Sequence, residues 1–174
     1  ARTLSELIAL LKQRQHTPPL PQTEAKTVDH SSVFSVTAAH LGLIANTQVR
    51  NAGSWAGNLG IFNRHQDFPS DAVLALTLAQ ASLTVADLTT GVLSALSMDQ
   101  FLQLPSEAFL GAHSAGQAGG LMIVAVTVQE SPPVPARPTA GGRSLVTESF
   151  KICVREHNAH AQVNAGFSFV LETP

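Results

Sequence analysis

Val49-Arg50-Asn51-Ala52-Gly53-Ser54-Trp55-Ala56-Gly57-Asn58-Leu59 is the stretch on which the reading of this chain turns. Its centre sets small residues on either side of a tryptophan and follows neither the helical nor the strand period. Small residues let a backbone approach a neighbour or a ligand closely, and glycine permits positive φ. Two readings follow: a turn packed against the core, which composition alone favours, or a loop whose amides face a ligand. On the second, Gly53 or Gly57 takes positive φ or sits too close to a neighbour to admit a Cβ.

Upstream, Thr3 and Glu6 have capping-box spacing, so residues 3–15 are predicted to be a helix with Leu4, Ile8 and Leu11 on one side. Prolines 18, 19 and 21 cannot continue it, and residues 22–30 are a polar connection. A second helix is predicted over 32–44, with Val33, Val36, His40 and Leu43 on one face and Asn46 as its stop. Downstream, residues 63–69 are turn-like, and Ser70 or Asp71 caps a third helix over 72–80. Residues 82–86 and 91–95 read as paired strands around a turn at 88–90. Ser97 and Gln100 repeat the capping-box spacing before a short helix ending at Pro105. Residues 111–120 are small. Residues 121–128 are the clearest strand, aliphatic enough for burial on both faces.

Residues 130–143 hold four prolines and two glycines, the composition of a linker or long surface loop. Two strands follow, over 149–156 and 162–171, with Phe167 and Phe169 on one face. They are expected to be antiparallel and set apart from the preceding body. Helices and strands mix without a βαβ rhythm, so the fold class is α+β.

The chain has 174 residues, enough for one ordinary domain and a core that needs no staples. Hydrophobic residues make up 44% and charged residues 13%, which excludes a disordered tail. The formal charge of −2, with no basic run, speaks against nucleic acid or an anionic membrane as partner. No stretch approaches the ~18 apolar residues of a membrane span. The start is amphipathic rather than a secretory signal. The lack of an initiating Met reads as a processed product or an excised piece. Cys153 is the one cysteine, so neither an internal disulfide nor an iron–sulfur cluster can be built. Its place in a strand suits a buried, inert thiol.

Dinucleotide-binding, Walker, metalloprotease and nucleophile-elbow motifs are absent. His157 and His160 lack an acidic or cysteine partner at ligand spacing, so no metal is expected. His40 reads as a structural histidine. Asp67 and Asp71 could form a carboxylate pair, though Asp71 serves as easily as a helix cap.

The opening stretch resembles the fingerprint of the FAD domain in molybdenum hydroxylases, the aldehyde oxidase and xanthine dehydrogenase family. Phe68-Pro69-Ser70-Asp71 resembles the motif of its invertebrate aldehyde-oxidase-like branch. Phe150-Lys151 and Asn158-Ala159-His160-Ala161-Gln162-Val163-Asn164-Ala165-Gly166 resemble the second family signature. The resemblance implies part of a vanillyl-alcohol-oxidase-type FAD domain over 1–129, a linker over 130–148, and the start of a small antiparallel subdomain over 149–174. It implies FAD as cofactor, with Ser54, Gly57 and Asn58 beside it, Asp71 on a ribose hydroxyl or adjacent polar group, and Lys151 near the flavin. Ala45 and Ile123 align with contact positions by counting from the motifs. Ile44 departs from an aromatic found beside the flavin in some members. The family's upstream pyrophosphate-binding segment, the rest of its C-terminal subdomain, its 2Fe-2S clusters and its molybdopterin domain would lie outside this chain. Alone, then, the chain would not be a complete catalyst. The implied partners are those remaining segments and the second subunit of a homodimer, and the implied location is cytoplasmic. Electrons would pass from iron–sulfur centres to FAD and on to oxygen or NAD. The competing reading is a binding or structural module that has lost its flavin.

Overall fold

The computed structural model describes residues 2–15, 32–109, 119–129, 143–155 and 157–172. The readings of 16–31, of most of 111–120 and of the proline-rich 130–142 lie outside the described residues.

The first helix, α1 (Leu4–Gln15), begins as its spacing predicts. Thr3 N–H donates to Glu6 Oε2 at 2.7 Å, and Glu6 N–H donates to Thr3 Oγ1 at 3.2 Å. Leu4, Leu7 and Leu11 turn inward against α2 (Val33–Gly42), while Lys12 and Arg14 suit the negative end of the helix dipole. Ser32 caps α2, which buries Val33, Phe34, Val36, Ala38 and Leu41, along with His40. The helix stops at Gly42, short of the expected end, and Leu43 is exposed. Asn46 does not close α2; its Oδ1 accepts from Val49 N–H at 2.9 Å and opens the next helix.

The quoted stretch is neither a turn nor a loop. It forms α3 (Thr47–Ala52) and α4 (Trp55–Arg64), broken at Gly53. Sequence periodicity misses them for a physical reason. The six residues of α3 bury no side chain, so they carry no apolar stripe. In α4 the buried face is Trp55, Leu59 and Asn63, spaced at helical intervals but ending on a polar residue. The Asn63 amide nitrogen donates to the Pro105 carbonyl at 3.0 Å, while its Oδ1 is buried with no hydrogen-bond partner. Gly53 has φ −76°, and Gly57 lies within α4, so neither takes positive φ.

Ser70, rather than Asp71, caps α5 (Asp71–Leu78), its Oγ accepting from Val73 N–H at 3.1 Å. A three-stranded antiparallel sheet follows, in the order β2-β1-β3, from β1 (Ser82–Asp87), β2 (Leu93–Ser97) and β3 (Leu121–Thr127). Between β2 and β3 lies α6 (Met98–Leu102), opened by the Ser97–Gln100 capping box. Leu83 and Val85 of β1 join Leu41, Leu59, Leu76 and Phe101 in the core. The expectation of burial on both faces fails for β3. It is an edge strand, and Met122 and Val124 point outward while Ile123 is half-buried.

The hairpin β4 (Arg143–Ile152) and β5 (Val163–Glu172) forms a second sheet. Its first strand starts at Arg143, ahead of the expected 149. Nor is the hairpin set apart from the body. One face packs on α5 and α2: Thr147 is buried, and a Cβ on Gly166 would stand 3.1 Å from Leu78 Cδ2. The other face exposes Phe150, Phe167 and Phe169. The rings of Phe167 and Phe169 stack with centroids 6.1 Å apart, so they share a face as expected.

Candidate functional site

The N-terminus of α4 carries the first group of expected site residues. Ser54 is its N-cap, and its Oγ accepts from Gly57 N–H at 2.9 Å. That amide therefore serves the helix. A Cβ on Gly57 would come within 2.8 Å of Ser54 Oγ, so the close approach expected of this glycine is met by its own cap. One turn further, Asn58 Oδ1 accepts from the Ser70 hydroxyl at 2.6 Å. The start of α4 is thereby fastened to the start of α5.

Because Ser70 does the capping, the Asp71 carboxylate is released for another partner. Lys151 Nζ of β4 donates to Asp71 Oδ2 at 2.6 Å and to the Leu43 carbonyl at 3.0 Å. Both side chains are buried, exposed by 4% for Lys151 and 9% for Asp71. Glu148 and Glu156 are nearer in sequence, yet the partner is Asp71, and the lysine is inside. An ion pair of this kind recovers its desolvation cost only through close geometry and additional hydrogen bonds, both present here.

Two more residues brace the loop after α2. Arg50 Nη1 donates to the Ile44 carbonyl at 2.7 Å. Ala45 takes φ 46°, and its carbonyl accepts from Asn158 N–H at 3.5 Å. Ile44 itself is buried in the core. Phe68 meets His160 edge-on, centroids 5.4 Å apart. The three family-like blocks, far apart in sequence, thus touch in space through Asn58–Ser70, Asp71–Lys151 and Phe68–His160.

Ile123 stands outside this network. It lines an apolar groove of about 870 Å³ with Trp55, Ala56 and Gly60. Sequence reasoning also left out His40, whose buried imidazole lies under the ion pair with Nε2 3.9 Å from Asp71 Oδ1. Burial lowers its pKa, and Asp71 opposes that shift. Its helical spacing with Val33 and Val36 signalled burial, but nothing local signalled the carboxylate opposite. Among the described residues there is no cluster of three or more His, Cys, Asp or Glu able to hold a metal. No helix among them is long and apolar enough to cross a membrane.

One group among the expected contacts is left to meet a nucleotide cofactor. Asp71 Oδ1 is buried with no hydrogen-bond partner, an acceptor left for a hydroxyl or N–H. Residues 1–128 match the family described as the FAD binding domain in molybdopterin dehydrogenase, and the chain belongs to that family, whose cofactor is FAD. An indole-3-acetaldehyde oxidase of Arabidopsis thaliana is 28% identical over 166 residues, 95% of this chain and 10% of that protein. A second indole-3-acetaldehyde oxidase of the same plant is 36% identical over 74 residues, 42% of this chain and 5% of that protein. The chain spans a tenth or less of the length of the relatives it matches.

Proposed function

We propose that this chain forms part of the FAD wall of a molybdenum-dependent aldehyde oxidase. The observation that carries the reading is the buried Lys151–Asp71 pair, which joins the second family-like signature to the Phe68–Asp71 motif. Bound FAD would supply two-electron storage between iron–sulfur centres and a final acceptor, oxygen or NAD. The remaining roles belong to side chains of this chain. Asp71 would bond a ribose hydroxyl or adjacent polar group of the cofactor while Oδ2 stays with Lys151. The Lys151 ammonium would favour the reduced, more anionic cofactor. Ser54 and Asn58 would hold the starts of α4 and α5 rigid beneath it, and Gly57 would leave room. Ala45 and Ile123 would flank the cofactor by apolar contact. The rest of the FAD domain, the iron–sulfur and molybdopterin domains, and a second subunit would complete the enzyme.

The test is spectroscopic. The chain, joined to the complementary FAD-domain segment and incubated with FAD, should retain a yellow, protein-bound flavin after desalting. Lys151→Met should then lower the flavin reduction potential, since it leaves Asp71 unneutralised. Each ~1 kcal/mol of lost stabilisation corresponds to about 20 mV for a two-electron couple. A desalted sample without colour would favour the reading of a module that has lost its flavin. An unchanged potential in a flavin-loaded Lys151→Met protein would remove Lys151 from the site.

A further inference from the structure

His40 is wholly buried, and neither ring nitrogen has a hydrogen-bond partner. Asp71 Oδ1 and Asn164 Oδ1 are likewise buried and unpartnered. Three polar groups in this state at one spot need an explanation, because each forfeits hydration. They share a place: Nε2 stands 3.9 Å from Oδ1 of Asp71, and the Asn164 carboxamide reaches the same imidazole, short of a well-formed hydrogen bond. Asn164 of β5 is also the register partner of Lys151. The two oxygens of Asp71 are therefore divided, Oδ2 to the lysine at 2.6 Å and Oδ1 to the side of the imidazole.

We infer that His40 is a positioning residue for the Lys151–Asp71 pair, its neutral imidazole lining the side of the carboxylate away from the lysine with a polar group, so that Lys151 stays docked where the flavin needs it. The inference rests on the proposed flavin role for its purpose, but not for its test. The groups that bear on the imidazole are Asp71 from α5, Lys151 from β4 and Asn164 from β5. The charged residues of α1, namely Glu6, Lys12 and Arg14, are exposed. A protonated ring here would compete with Lys151 for the same carboxylate and place a second cation beside the ammonium.

The sign of the pH dependence follows. The folded pKa of His40 lies below its ordinary value of 6.5. Above that ordinary value the ring is neutral in both folded and unfolded chains, and its contribution to stability is fully present. As pH falls below it, the unfolded chain takes the proton first and stability is lost.

The full chain carries three lysines, Lys12, Lys26 and Lys151, so acylation of Lys151 can be followed by peptide mass in mildly alkaline buffer. His40→Leu, which fills the space without a polar atom, should raise the Lys151 labelling rate about tenfold, as for roughly 1.4 kcal/mol less free energy of local opening. His40→Gln, a neutral polar side chain, should keep the parent protection and flatten the loss of thermal stability between about pH 7 and pH 5.5. A His40→Leu chain that melts earlier yet protects Lys151 as the parent does would overturn the inference. So would a His40→Gln chain with the parent's acid-side slope, an arm that stands by itself if the leucine variant does not fold. Neither readout needs flavin, so a colourless chain would count against the flavin role and not against His40.

Discussion

The central strand β1 meets the helices through Leu83 and Val85, which are buried against Leu41, Leu76 and Phe101. The hairpin β4–β5 meets the same helices through a glycine against Leu78, a buried threonine and one ion pair, and turns its phenylalanines outward. The first sheet is held by area removed from water, which is non-directional and tolerant. The second is held by a directional latch, whose strength depends on both partners being present. Rigid scaffold and adjustable attachment are therefore built from different chemistry within one chain.

The comparison breaks most visibly at the core. Leu83→Ala should cost about 2–5 kcal/mol, lowering the thermal midpoint of the whole domain in one transition. At the latch, Lys151→Met should cost about 3 kcal/mol by leaving Asp71 charged, buried and unpaired. Burial of both partners is what makes the substitution costly, since an exposed pair would contribute little. Its effect should concentrate in the hairpin, read as faster amide exchange at β4 and β5 than in β1. Adding Asp71→Leu should recover much of the loss, because a latch with neither charge has no uncompensated ion. A double variant no more stable than Lys151→Met would mean the hairpin is held by something other than the pair.

A smaller effect is expected at the start of α4. Gly57→Val must displace Ser54 Oγ from the cap, at about 1 kcal/mol for the cap and more for the branched side chain. It should also abolish flavin retention in the completed module. Retention equal to the parent in a folded Gly57→Val protein would take the α4 terminus out of the site. The smallest effect concerns the turn between β1 and β2. Asp87 accepts from the amides of Thr90 and Thr89, which lower its pKa. Its contribution is present above the unfolded carboxylate pKa and lost as pH falls through the lower folded value. Carboxyl NMR titration of Asp87 should show an apparent pKa below the ordinary aspartate value of 3.8; a value at or above it would mean the turn is not held through the side chain.

Capping chemistry and aliphatic runs were legible without coordinates. Thr3–Glu6, Ser70 and Ser97–Gln100 each open a helix, because a capping side chain bonds to amides only three residues away. β1 and β2 were legible for a similar reason, as short alternating runs joined by a local turn. The family resemblance was legible too, since short signatures survive as residue strings. What local pattern could not supply were α3 and α4, where helical order rests on caps and on contacts such as Asn63 with Pro105 rather than on an apolar stripe. Nor could it pair Lys151 with Asp71, eighty positions away, over two nearer glutamates. Charge attraction has no sequence register; only the packing of β4 onto α5 and α2 decides which carboxylate a lysine meets. The same packing puts His40 beneath that carboxylate, turning a histidine whose spacing marked it only as buried into part of a polar cluster.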